Sequence, residues 1–136
     1  YVTSVLERLI ADVKTIQGLQ IGVVAISAND AQSYPEDSFE NMQKMASTKG
    51  FPFAYLYDED QSVAQAYNAV CTPDFFGFNA SGGLQYRGRL DAAGRNPASE
   101  GLRRDLVEAM RMIADTGAGP KNQIPSMGCS IKWKDA

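Results

Sequence analysis

Two cysteines, Cys71 and Cys129, are the residues of this 136-residue chain best suited to covalent chemistry. A thiolate is a nucleophile, so a cysteine with a lowered pKa attacks disulfides and peroxides. The chain has no histidine, which removes Ser-His-Asp triads, Cys-His dyads, imidazole bases and His-rich zinc sites together. Two thiols cannot build a four-thiolate zinc site, and these two stand too far apart for a Cys-x-x-Cys pair. The two thiols are left free for chemistry, of a kind that needs neither a metal nor an organic cofactor. Each thiol also has a plainer fate, since a free cysteine is most often a small buried hydrophobe. Cys71 lies two residues before Pro73, at the edge of an aromatic run, whereas Cys129 comes after Pro125 and Gly128 in a segment expected to be an accessible loop. Neither is predicted at the start of a helix. A bridge between them would need Cα atoms within about 7 Å.

The elements that must position these thiols are set by the apolar spacing. Leu6, Leu9, Ile10, Val13 and Ile16 predict a first helix over about 3–17, with Ser4 and Glu7 as a capping box and Gly18 at its end. Ile21 to Ile26 is a short, β-branched apolar run, as expected of a central parallel strand covered on both faces. The polar Ser27-Ala28-Asn29-Asp30 at its carboxyl end sits where open α/β sheets place ligand crevices. Pro35, Glu36 and Asp37 open a second helix that Gly50 closes, and Phe51 to Tyr57 reads as a strand. Asp58 or Asp60 caps a helix carrying Val63, Ala64, Tyr67 and Val70, the run Asp58-Glu59-Asp60 being solvated capping rather than a metal site. Phe75 to Phe78 and Leu84 to Leu90 flank the turn-rich segment 79–83, predicting a hairpin near a sheet edge with Arg87 and Arg89 as surface guards. Leu102, Leu106, Met110 and Ile113 define a last helix ending at Gly117, and the tail beyond it is expected to dock through Trp133.

The composition bounds the class. Hydrophobic residues at 44% and charged residues at 21% fit an ordinary globular domain, large enough to fold without disulfide staples. A net charge of −3 offers no basic surplus for nucleic acid or anionic lipid. The longest apolar run falls far short of the roughly 20 residues that cross a bilayer. No leader is visible, so a cytoplasmic location is expected, or a periplasmic or exported one if a signal preceded Tyr1.

Four stretches carry a resemblance. Val24-Ala25-Ile26-Ser27-Ala28-Asn29-Asp30, then Tyr34-Pro35-Glu36-Asp37-Ser38-Phe39-Glu40-Asn41-Met42, then Cys71-Thr72-Pro73-Asp74-Phe75-Phe76, and last Pro125-Ser126-Met127-Gly128-Cys129-Ser130-Ile131-Lys132-Trp133-Lys134 resemble the redoxins related to alkyl hydroperoxide reductase and thiol-specific antioxidant. The resemblance implies a thioredoxin-like α/β fold: a mixed central sheet flanked by helices, a peroxiredoxin-type helical insertion, and a docked tail, residues 118–136, on a single domain spanning 1–136. In that sheet Ile21 to Ile26 and Phe75 to Phe78 are expected to lie together. Members of this family carry an Asn-X-Cys-Pro-Tyr or similar motif at the end of their first strand. Tyr1-Val2 is similar to the residues directly after that motif, so the first strand and principal cysteine are expected before Tyr1.

The implied function is a thiol-disulfide oxidoreductase or peroxiredoxin-like thiol peroxidase. Cys129 would be its resolving thiol and Cys71 a neighbouring redox thiol. Thr72 and Pro73 would form the segment that binds substrate, with Pro73 resembling the family's cis-proline. The implied partners are a thiol or disulfide protein or a small peroxide, with no nucleic acid and no membrane, and self-association left open. The alternative from another class is a non-catalytic thioredoxin-like binding module that keeps the proline groove without a redox cycle.

Overall fold

The apolar stripe of the first helix becomes α1, Val2–Gln17, whose Val5, Leu6, Leu9, Val13 and Ile16 are buried. Burial of that kind contributes about 1.5–3 kcal/mol per large side chain. The computed structural model describes residues 1–135, and the chain divides into two compact units. One holds residues 1–22 and 71–129, the other residues 23–70 and those from Ser130 onward.

In the first unit α1 packs against α4, Asp105–Thr116, which presents Leu106, Val107, Ala109, Met110 and Ile113 to the core. Helix α4 in turn covers the antiparallel hairpin of β4, Phe75–Phe78, and β5, Leu84–Gly88. Gly77 permits that closure, because a Cβ there would run into the Met110 sulfur. The hairpin turn is tied by Asn79, whose side-chain oxygen accepts from the Ser81 and Gly83 amides. Strand β5 carries Tyr86, fully buried, with its hydroxyl donating to the Arg89 carbonyl at 2.7 Å. A short strand β3, Cys71–Thr72, leads into the hairpin.

Two charged pairs tie α1 to the segment before α4. Arg104 donates to the buried Asp12 at 2.6 Å, and Arg8 donates to the buried Asp91 at 2.8 Å. Burial raises the Asp12 carboxyl pKa, and Arg104 works against that rise. The outer side of β5 is occupied by the segment after α4. Gln123 accepts from the Arg87 amide at 2.9 Å and donates to the Gln85 carbonyl at 2.8 Å, while the Arg89 amide donates to Ile124 at 3.0 Å.

The second unit holds β1, Val24–Ser27, paired in parallel with β2, Ala54–Tyr57, in the register Val24 to Ala54 through Ser27 to Tyr57. Between them runs α2, Phe39–Lys49, capped by the Ser38 hydroxyl and ended by Gly50 in the left-handed region. A five-residue α3, Ser62–Ala66, comes next. Strand β6, Cys129–Ser130, begins the final segment. Ile131 is buried, and the Lys132 backbone bonds to both Asn29 and Asp30. Gln61 completes the anchorage, donating to Ala28 and Lys132 and accepting from the Lys134 amide.

Several expectations need correction. The described strands pair as three two-stranded ladders, β1 with β2, β3 with β6 and β4 with β5. Strand β1 starts at Val24 and is not covered on both faces: Val24 is 59% and Ile26 41% exposed. Ser4 lies inside α1 and donates to the Tyr1 carbonyl, so no capping box forms. Asp58 is buried, its carboxylate accepting from the Val63 and Ala64 amides at the start of α3, so it is not solvated. Helix α4 begins at Asp105, three residues after Leu102. Trp133 is 43% exposed, and Ile131 fills the anchoring role instead.

Candidate functional site around Cys129

The segment after α4 runs along β5 and ends at Cys129, which is exposed. Its approach to β3 depends on Gly128. A Cβ at that position would overlap the Thr72 carbonyl and crowd the Pro73 nitrogen, so only glycine allows the two backbones to meet. The Thr72 hydroxyl then donates to the Cys129 carbonyl at 3.4 Å. The Thr72–Pro73 peptide bond is cis. Pro73 joins Tyr1, Val5, Phe75 and Met127 around a recess of about 10 Å³, the size of one water.

This arrangement carries the Cys129 sulfur to the amino end of α1, where the Tyr1 nitrogen donates to Sγ at 3.7 Å. Arg95 reaches the same sulfur from the loop before α4, its Nη2 at 4.0 Å. The Arg95 guanidinium beside this exposed sulfur favours its thiolate form over the thiol. The sequence predicted no cysteine at a helix start, and by chain position neither is there. Tertiary folding supplies the placement, joining residues 128 positions apart.

Cys71 is different. It is 8% exposed, and its thiol donates to the Pro73 carbonyl at 3.6 Å. Burial, then the nearby Asp74 carboxylate, pushes its pKa up. Both cysteines are free thiols. Arg87 and Arg89 do not act as guards facing solvent alone. Arg87 pairs with Asp74 at 3.5 Å and lies over the Phe76 ring, and Arg89 pairs with Asp105 at 3.1 Å. The polar stretch Ala28-Asn29-Asp30 bonds to Gln61 and Lys132. Arg95 was absent from the candidates drawn from sequence; the signal available was an arginine in a Gly-Asn-Pro loop, which distinguishes little. Among the described residues no group of three or more His, Cys, Asp or Glu side chains converges as a metal site, and no helix is long and apolar enough to cross a membrane.

The α/β elements and the cis Thr72–Pro73 peptide fit the class of thioredoxin-like proteins. The chain belongs to the AhpC/TSA family, whose model matches residues 1–87. That span includes Cys71, Thr72 and Pro73 and stops short of Cys129. The family implies a thioredoxin-like α/β fold and a function of thiol peroxidase or oxidoreductase type. A crystal structure of an uncharacterized conserved protein from Geobacillus kaustophilus is similar at 42% identity and a TM-score of 0.89, covering 100% of this chain and 72% of that one. A hypothetical protein from Sinorhizobium meliloti 1021 is similar at 36% identity and a TM-score of 0.89, covering 100% of this chain and 74% of that one. No curated protein sequence matches the chain.

Proposed function

We propose that this chain is the body of a thiol-disulfide oxidoreductase or peroxiredoxin-like thiol peroxidase in which Cys129 is a working redox thiol. The observation that carries the proposal is the Cys129 sulfur, exposed and held between the Tyr1 nitrogen and Arg95. In this proposal Cys129 goes beyond the resolving role that the resemblance implies: in disulfide exchange its thiolate attacks one sulfur of the substrate, a mixed disulfide forms, and the other sulfur departs as thiolate with the electron pair of the broken bond. In peroxide reduction the sulfur takes one oxygen, the O–O bond breaks, and the departing oxygen leaves as alcohol or water after gaining a proton. The resulting sulfenic acid condenses with a second thiol and releases water.

Thr72 and Pro73 are proposed to bind the substrate, since their backbone adjoins the Cys129 segment at Gly128. Cys71 is proposed as the secondary thiol: burial disfavours its thiolate, so it reacts only after local opening. The finer architecture keeps to the family pattern in this proposal: residues 1–136 as one redoxin domain with a peroxiredoxin-type helical insertion, and residues 118–136 as its docked tail. The partner is a thiol or disulfide protein or a small peroxide. Peroxide and disulfide turnover by Cys129→Ser is the test. Loss of turnover supports the proposal; unchanged turnover removes Cys129 from the chemistry and leaves the non-catalytic binding module as the better account.

A further inference from the structure

Arg95 is exposed, yet its guanidinium lies over a ring and its loop is held by hydrogen bonds. Its Cζ lies 5.3 Å from the centre of the Tyr1 ring. The carbonyls of its two neighbours, Gly94 and Asn96, accept hydrogen bonds from Arg8 at 2.6 and 3.1 Å. Arg8 is itself anchored on Asp91 at 2.8 Å. Gly94 takes a positive φ of 58°, and a Cβ there would stand 3.2 Å from the Tyr1 hydroxyl. Helix α1 thus provides both the platform under Arg95 and the clamp on its loop. One Nη of Arg95 points at the Cys129 sulfur, and no carboxylate pairs with Arg95 among the described residues. A guanidinium has five donors in a planar fork that matches a carboxylate, so most of this fork is unused beside a nucleophilic sulfur.

Resting on the proposal that Cys129 is a redox thiol, we propose that Arg95 is a specificity-determining residue that draws small carboxylate-bearing disulfides to Cys129. The electron flow is that of disulfide exchange: the substrate S–S bond breaks, the Cys129 mixed disulfide forms, and a carboxylate-bearing thiolate leaves. Arg95 exchanges no electrons or protons. It holds the carboxylate so that the disulfide lies against Sγ, and it favours anionic over neutral substrates of equal reactivity.

Iodoacetate and iodoacetamide test this directly, because both alkylate a thiolate by displacing iodide and differ in one carboxylate. Their rates at Cys129, followed at one pH by peptide mass, give a ratio from which the thiolate fraction cancels. Arg95→Ala is expected to lower the iodoacetate-to-iodoacetamide ratio about three- to fivefold at low salt, as for a single charge at close range in a wet site. Arg95→Lys restores most of the ratio, and about 1 M salt brings the wild-type ratio down toward that of Arg95→Ala. A ratio unchanged in Arg95→Ala overturns the inference. So does a wild-type ratio indifferent to salt, a measurement that needs no variant to fold. Because alkylation requires no turnover, failure here is distinct from failure of the Cys129→Ser test.

Discussion

The sulfur of Cys129 lies 3.7 Å from the nitrogen of Tyr1, at the amino end of α1. A helix start carries unpaired N–H groups and a partial positive charge, which favour a thiolate over a thiol. Cys71, in the same unit, has the opposite environment, buried and beside a carboxylate.

The two thiols should therefore separate kinetically. At neutral pH iodoacetamide is expected to modify Cys129 at least about tenfold faster than Cys71, and the rate at Cys129 should stay high below the ordinary thiol pKa of about 8.5. Peptide mass spectrometry across pH checks both. Equal rates would mean that exposure and the helix start do not govern reactivity here.

Gly128 should tolerate no side chain. Gly128→Ala forces the Cys129 segment off the Thr72–Pro73 backbone, with an expected loss of about 1–3 kcal/mol from overpacking. Urea denaturation reads the stability. Cys129 labelling reads the displacement, and should slow toward that of an ordinary thiol as the sulfur leaves Tyr1.

Ile131 and Trp133 make a paired comparison. Ile131→Ala removes a buried side chain and should cost about 2–4 kcal/mol. Trp133→Ala, at a ring 43% exposed, should cost less than about 1 kcal/mol. A larger loss at Trp133 would reverse the assignment of the anchor.

Alkaline pH should act through Tyr86. Burial pushes its phenol up to about 12 from an ordinary value near 10, so the folded state holds the proton more tightly than the unfolded chain. The stability linked to this group is complete below about pH 10 and is lost as pH rises through about 12. Thermal melts between about pH 9 and 12 should show a falling limb. Tyr86→Phe should flatten that limb, while losing the bond to the Arg89 carbonyl and with it about 1 kcal/mol at neutral pH.

Local features were the legible ones. The stripe from Leu6 to Ile16 predicted α1 to within a residue at each end, and the Asn79 to Gly83 turn predicted the hairpin, because both signals lie within a few residues of the structure they encode. Burial of polar groups was poorly legible. Asp58 caps a helix as its position indicates, but only packing decides that it does so away from water. The choice of Ile131 over Trp133 as anchor is likewise a matter of which side chain finds a pocket. The proposed site draws on both kinds of signal. Cys129 and the Thr72–Pro73 step stand out by residue type, whereas Arg95 acquires meaning only when Arg8 fixes its loop and Tyr1 lies beneath it. No pattern within a window of sequence relates residues 1, 8, 95 and 129.

The side-chain amide of Gln123 is used in both directions, its oxygen accepting a hydrogen bond from the Arg87 backbone amide and its nitrogen donating one to the Gln85 carbonyl. Hydrolysis of that single group to a carboxylic acid, the slow chemical ageing to which such side chains are prone, would turn its nitrogen end into a second acceptor facing the Gln85 oxygen. Two electron-rich atoms would then stand where one shared hydrogen had been, and the strap that delivers Cys129 would lose its fastening without any change in the length of the chain.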